Sequence, residues 1–397
     1  MKRSQTQLQI KCKDVMEGKT QTKANSTRLT QTGTNQGAGN ENLKIQQLFK
    51  LMVDSGASDL HITSGTSPGL RVHGEVIKVK TSALTGEDTK RLIYQILTED
   101  QKNEFEKKLE LDFSFGIKGL ARFRANVFNS KGAVAAVFRI IPSIIPDFKS
   151  LNLPNVLLKM CDVSNGLILV TGPTGSGKST TLAALIDYLN QHEAGHIITL
   201  EDPVEFVHAH KSCLVNQREI GSDSLSFSNA LKSLLRQDPD IVLVGELRDM
   251  ETIEAALTIA ETGHLVFGTL HTNSCVQTIN RVINVFPAHQ QIQVRTLLSF
   301  VLQGVVSQQL IAKSFEKGRV AAMEILVPTA GIRNLIREDK LHQVYSQMQI
   351  GQDKTGMVTM NQSLKKHVET GAISVEVAMG YSNAPDELAS QLGVKVK

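Results

Sequence analysis

Gly172-Pro173-Thr174-Gly175-Ser176-Gly177-Lys178-Ser179-Thr180 follows directly on the apolar run Leu167-Ile168-Leu169-Val170. Glycines at this spacing let consecutive backbone N–H groups turn inward around a phosphate. Lys178 then reaches the β and γ oxygens, and the Ser179 hydroxyl is placed to ligate Mg2+. Leu182, Leu185, Ile186 and Leu189 recur at i, i+3, i+4 and i+7, so strand, glycine-rich turn and amphipathic helix stand in the order a P-loop requires. The expectation is an ATP site with Mg2+ as cofactor. The plainer alternative is a glycine turn before an ordinary helix.

Working outward, the pattern after about Leu153 alternates strand and helix, the signature of a doubly wound parallel sheet that binds ligands at the carboxyl ends of its strands. Besides the P-loop strand, Ile197-Ile198-Thr199-Leu200 runs into Glu201-Asp202-Pro203-Val204-Glu205, and Ile241-Val242-Leu243-Val244 runs into Gly245-Glu246-Leu247-Arg248-Asp249. Leu265 through Leu270 runs into His271-Thr272. Side by side, these tips converge on a γ-phosphate. Glu246 is the candidate that orients and deprotonates the attacking water, because phosphoryl transfer chiefly needs positioning and charge stabilisation. Gly245 stands where a metal-holding Asp is usual, so Mg2+ depends on Ser179, phosphate oxygens and water, with Glu205 a candidate outer partner. His271 sits at a strand tip and His264 at the start of the same strand, seven residues away. For both, a satisfied structural histidine is the alternative.

Residues 43–142 read as a small α+β domain: a helix around Leu48, Phe49, Leu51 and Met52, then strands at 60–62, 70–76, 111–115, 122–128 and 133–140. Arg124 and Arg139 on these strands are candidate arginine fingers, with ordinary surface arginines as the alternative. Pro142 and Pro146 punctuate a linker over 143–154, and the second domain occupies 155–397, helical from about 330. Residues 1–42, rich in Gln, Thr, Asn and Lys, are expected to be a disordered basic tail. The first 43 residues hold seven Lys/Arg against three Asp/Glu, leaving 36 of each in the rest. That balance argues against a basic nucleic-acid surface. No apolar run reaches bilayer length and no secretory signal is evident, so a cytoplasmic location is expected. Cys12, Cys161, Cys213 and Cys275 form no C-x-x-C pair, which speaks against zinc and a disulfide framework.

Taken together, the P-loop, the acidic box Ile198 to Phe206, the stretch Asp240 to Asp249 and the histidine box Thr262 to Thr272 resemble the secretion ATPase superfamily. Within it the chain is similar to the type IV pilus retraction ATPases over roughly 43–370. The similarity includes Ser58-Asp59-Leu60-His61 and the motif Ile332-Arg333-Asn334-Leu335-Ile336-Arg337, where Gly331 replaces the Ala of the family pattern. The resemblance implies a PAS-like α+β domain followed by a RecA-like α/β ATPase domain. It also implies a homohexamer with nucleotide between the domains, and turnover that rotates them. Pilin would thereby be returned to the inner membrane through a platform protein, powering twitching motility. It implies functional roles for Glu205, Glu246, His264 and His271, and nucleotide clamping by Arg124 and Arg139. In the motif, Ile332, Leu335 and Ile336 make an apolar helical face, and function is expected in Arg333 and Arg337. The rivals are an accessory retraction ATPase, an extension or type II secretion ATPase, a nucleic-acid translocase and a regulatory nucleotide switch. Extension relatives generally carry a tetracysteine zinc insertion, for which the cysteine spacing offers no site.

Overall fold

The computed structural model describes residues 40–394 apart from His73 and Ser143. Most of the expected tail, with Cys12, lies outside the described residues. Asn40–Asn42 forms a 3-10 turn, and Arg91 Nη2 donates to the Asn40 carbonyl at 2.6 Å. The chain divides into two compact units, Met1–Ser143 and Ile144–Lys397.

The first unit carries strands β1 (Asp59–Ile62), β2 (Gly69–Val72), β3 (Glu75–Lys78), β4 (Glu110–Ile117), β5 (Ala121–Ser130) and β6 (Ala133–Ile141). They form one antiparallel sheet in the order β3-β2-β1-β6-β5-β4. Helix α1 (Ile45–Asp54) lays Leu48, Phe49 and Met52 against it, and the Phe49 ring meets Phe123 and Phe138 at centroid distances of 4.6 and 5.0 Å. Aromatic burial of this kind dominates a small core. Helices α2 (Gly86–Tyr94) and α3 (Glu99–Lys108) were not foreseen; both open on capping boxes, Thr85 with Asp88 and Thr98 with Gln101. Residues 70–76, read as one strand run, are a hairpin: Gly74 has φ +89°, a left-handed turn between β2 and β3.

The second unit is built on β7 (Gly166–Thr171), β8 (His196–Glu201), β9 (Leu214–Glu219), β10 (Ile241–Val244), β11 (Leu265–Leu270), β12 (Leu302–Ala312) and β13 (Arg319–Leu326). Their order is β13-β12-β7-β11-β10-β8-β9, parallel except for the β12–β13 hairpin. β7, β10 and β11 are buried at every position, as strands covered on both faces must be. The flanking helices are α4 (Val156–Cys161), α5 (Lys178–His192), α6 (Phe227–Leu234), α7 (Met250–Glu261), α8 (Cys275–Asn284) and α9 (Ala288–Val301). Beyond the sheet come α10 (Ala330–Arg337), α11 (Val344–Met348), α12 (Gln352–Thr355), α13 (Met360–Glu369), α14 (Val375–Tyr381) and α15 (Pro385–Leu392). The chain thus has the α/β class expected, and the motif-bearing strands lie together at the centre of the sheet. Among the described residues no helix is long and apolar enough to cross a membrane. Cys161, Cys213 and Cys275 are buried free thiols.

Candidate active site

Parallel pairing aligns the carboxyl ends of four strands. Thr171 pairs with Leu270, Gly268 with Val244, and Val244 with Leu200, so the residues that follow each strand meet at one edge. They enclose a cavity of about 240 Å³ lined by Lys178, Ser179, Glu201, Glu205, Glu246 and His271 among others. Thr174 and Gly175 also line it, whereas Gly172, Ser176, Gly177 and Thr180 shape the loop and first helical turn without appearing in its wall.

The loop takes its form from backbone that L side chains resist. Gly172, Gly175 and Gly177 have φ of +140°, +79° and +90°, and a Cβ on Gly172 would come within 2.1 Å of the Gln308 carbonyl oxygen. Gly177 caps α5, which presents its amino end and partial positive charge to the cavity. The first helical residue, Lys178, donates through Nζ to the carbonyls of Gly172 at 2.8 Å and Pro173 at 3.2 Å. Burial holds its ammonium below the ordinary lysine value, and the Glu246 charge opposes that fall.

Opposite stands Glu246. One carboxylate oxygen accepts from Arg248 Nη2 at 2.8 Å, and the other lies 3.2 Å from His271 Nε2. The Arg248 hydrogen bond is the main reason its carboxyl sits below the usual glutamate value, against the opposing pull of burial. Thr269, on the strand that delivers His271, donates its hydroxyl to the Gly245 carbonyl and ties the two strand tips together.

Glu201 was read only as part of a strand-end box, yet it is the most enclosed carboxylate of the cavity, 9% exposed. It accepts from Thr199 Oγ1 at 2.6 Å, Gln217 Nε2 at 3.2 Å and the Glu205 amide at 3.5 Å. Burial raises its carboxyl above the ordinary value in spite of these donors. Glu205 itself is exposed at the cavity wall. Arg248 and Phe227 also line the cavity and were not singled out from the sequence. The only available signal was their place just past a strand end or at a helix start.

His264 lies elsewhere. Its Nδ1 is 3.0 Å from the Ile259 carbonyl at the end of α7, at the opposite end of β11 from His271, and it does not line the cavity. The structure therefore does not bring the two histidines together.

In the first unit, pairing puts Arg71, Asp59, Arg139, Arg124 and Ser114 in one row across β2, β1, β6, β5 and β4. One residue along, Leu60, Phe138 and Ala125 make the alternate row and are fully buried, so the charged row occupies the opposite face. Asp59 accepts from Arg139 Nε at 2.8 Å and from Ser58 Oγ at 2.8 Å, while the Arg139 side chain stays 68% exposed. Arg124 is exposed directly opposite Arg139. Like charges so placed repel.

The expected C-terminal motif forms α10, with Thr329 as its N-cap and Ile332 and Ile336 buried. Asn334 and Leu335 lie on its outer and partly buried sides. Arg333, expected to be functional, is engaged inside the chain: Nη1 donates to the Ser299 and Phe300 carbonyls at 2.7 and 2.9 Å, closing the end of α9. Such a clamp satisfies carbonyls that a helix end leaves free. Arg337 lies over the Phe300 ring at 5.7 Å.

A phosphate loop at the carboxyl edge of a parallel sheet, facing a strand-end glutamate, defines a P-loop ATPase of the RecA-like kind. The chain belongs to the Type II/IV secretion system protein family, whose pattern matches residues 35–380. It is 52% identical over 344 residues to the Pseudomonas aeruginosa protein described as "Type IV pilus retractation ATPase PilT", covering 87% of this chain and 99% of that one. It is 47% identical over 327 residues to a Neisseria gonorrhoeae "Twitching motility protein", covering 81% of this chain and 87% of that one. A crystal structure of the pilus retraction motor PilT with bound ADP superposes with a TM-score of 0.83 at 52% identity, covering 88% of this chain and all of the other.

Proposed function

We propose that this chain is a motor ATPase that couples ATP hydrolysis to retraction of a type IV pilus, working as a homohexamer at the cytoplasmic face of the inner membrane. The observation that carries the reading is the meeting of Lys178, Ser179, Glu246 and His271 around one cavity, in a chain 52% identical to a retraction ATPase along nearly its whole length. In this reading the loop amides and Lys178 hold the β and γ phosphates. Glu246 receives the proton of the attacking water, and His271 registers whether the γ-phosphate is present. Arg124 and Arg139 are assigned to clamping phosphate, Glu205 to the outer side of the cation, and His264 to a supporting position behind the strand.

The residues fit Mg2+, a hard cation that takes oxygen ligands and keeps water. The Ser179 hydroxyl lines the cavity together with the Glu201, Glu205 and Glu246 carboxylates. When bound, the cation would neutralise charge on the transferring phosphoryl group.

The platform protein and, through it, pilin are the partners proposed. Steady-state phosphate release tests the chemistry: Glu246→Gln should stop turnover while ADP still binds, and an unchanged rate would remove Glu246 from the mechanism. Deletion of the gene tests the direction of work. Piliated cells that do not retract support this reading, and bald cells would mean an extension motor.

A further inference from the structure

We infer that Gln308, on β12, sets the direction of the Gly177 amide in the phosphate loop and is a positioning residue for nucleotide binding. The inference rests on the reading of the cavity as the nucleotide site. Gln308 is 2% exposed and both ends of its amide are engaged. Nε2 donates to the Ser176 carbonyl at 2.7 Å, and Oε1 accepts from Thr181 Oγ1 at 2.8 Å. Thr181 is equally buried, in the first turn of α5.

A trans peptide is planar, with its C=O and N–H pointing in opposite directions. Holding the Ser176 oxygen toward β12 therefore turns the Gly177 N–H away from β12. In the sheet, β12 flanks β7 on one side and β11 flanks it on the other. Thr269 and His271 line the cavity from the β11 side, so the Gly177 N–H is turned toward the side where phosphate binds. Thr181 fixes which way round the Gln308 amide sits. Were the amide reversed, its oxygen would face the Ser176 oxygen, an acceptor against an acceptor.

The same residue, through its side chain at one position and its backbone at the other, crowds two of the loop glycines. A Cβ on Gly177 would fall 2.8 Å from Gln308 Nε2, and one on Gly172 would fall 2.1 Å from the Gln308 carbonyl oxygen. These positions are small because a strand far along the chain is pressed against the back of the loop, in addition to any approach of phosphate to its front.

The test uses the full chain and ADP titration by calorimetry, with melting temperature recorded alongside. Gln308→Leu should weaken ADP binding about tenfold, the loss of one oriented buried hydrogen-bond donor, and raise the ATP KM by a similar factor with kcat retained. Thr181→Val, which leaves the Nε2 donor in place but frees the amide to reverse, should weaken ADP about threefold. Lys178→Ala, which removes the phosphate-binding lysine, is the reference for lost binding. A purely structural glutamine would lower the melting temperature and leave the affinity of folded protein unchanged, and that result overturns the inference. Should Gln308→Leu not fold, Thr181→Val decides alone: unchanged ADP affinity overturns the proposal and a weaker one supports it. Wild-type protein that fails to bind ADP would instead overturn the nucleotide site itself.

Discussion

At the scale of single residues, Glu246 is held at both carboxylate oxygens, by Arg248 on one and His271 on the other. In its proposed role as general base Glu246 works only when deprotonated, so ATPase activity should be lost as pH falls through its pKa. Arg248 is the main cause that keeps this pKa low. Arg248→Ala should therefore move the acid limb of kcat/KM to higher pH, measurable as a pH profile of phosphate release, whereas an unmoved limb would separate Arg248 from the titration. Gly172→Ala is expected to abolish ADP binding in the same titrations, because its Cβ would lie 2.1 Å from backbone that cannot retreat. Lys178, Ser179, Glu246 and His271 were picked out from sequence because the loops that carry them each follow a short apolar run, and parallel strands bring such loops to one edge. Gln308 and Glu201 were not. Their surroundings include partners distant in sequence, as when Gln308 meets Thr181 of α5 across 127 residues and Glu201 meets Gln217 of β9, and residue order does not encode that proximity.

At the scale of elements, α10 shows how a motif divides between packing and chemistry. Periodicity gave the buried face of Ile332 and Ile336, but it could not show that the Arg333 guanidinium closes α9. Arg333→Ala should lower unfolding free energy by about 2 kcal/mol, the ordinary worth of hydrogen bonds from a charged group. Urea denaturation would measure this, and motility defects in that variant must be read against it. Gly331 occupies the second position of the helix, and a Cβ there meets nothing closer than 3.7 Å. Gly331→Ala should thus leave the fold intact and add up to about 1 kcal/mol, with an unchanged or raised urea midpoint as the check. The elements missed from sequence share a cause. α2 and α3 are mostly polar helices with few buried positions, so their apolar period is faint. The β2–β3 turn hid inside an alternating run because Gly74 interrupts neither the pattern nor its polarity.

At the scale of the whole molecule, separate cores serve the two units. One gathers Leu43 to Phe138, and the others gather residues from Leu153 onward. Each unit should therefore unfold as its own cooperative block. Calorimetry of the full chain is expected to resolve two transitions, and residues 144–397 expressed alone should keep a transition that ADP raises by mass action. A single transition lost on dividing the chain would contradict this. In the sequence the α+β pattern gives way to strand-helix alternation near Pro142 and Pro146, where the two units adjoin.

On the proposed reading of the site, the pair of carbonyls that Lys178 grips, those of Gly172 and Pro173, would compete with the nucleotide for its ammonium. Incoming phosphate must outbid them, and departing phosphate leaves behind an ammonium that is resolvated at once by its own loop. Affinity would thereby be tempered at both ends of the proposed cycle, with no bare charge left in the cleft when product departs. A machine that must fire repeatedly under load gains from such a built-in release.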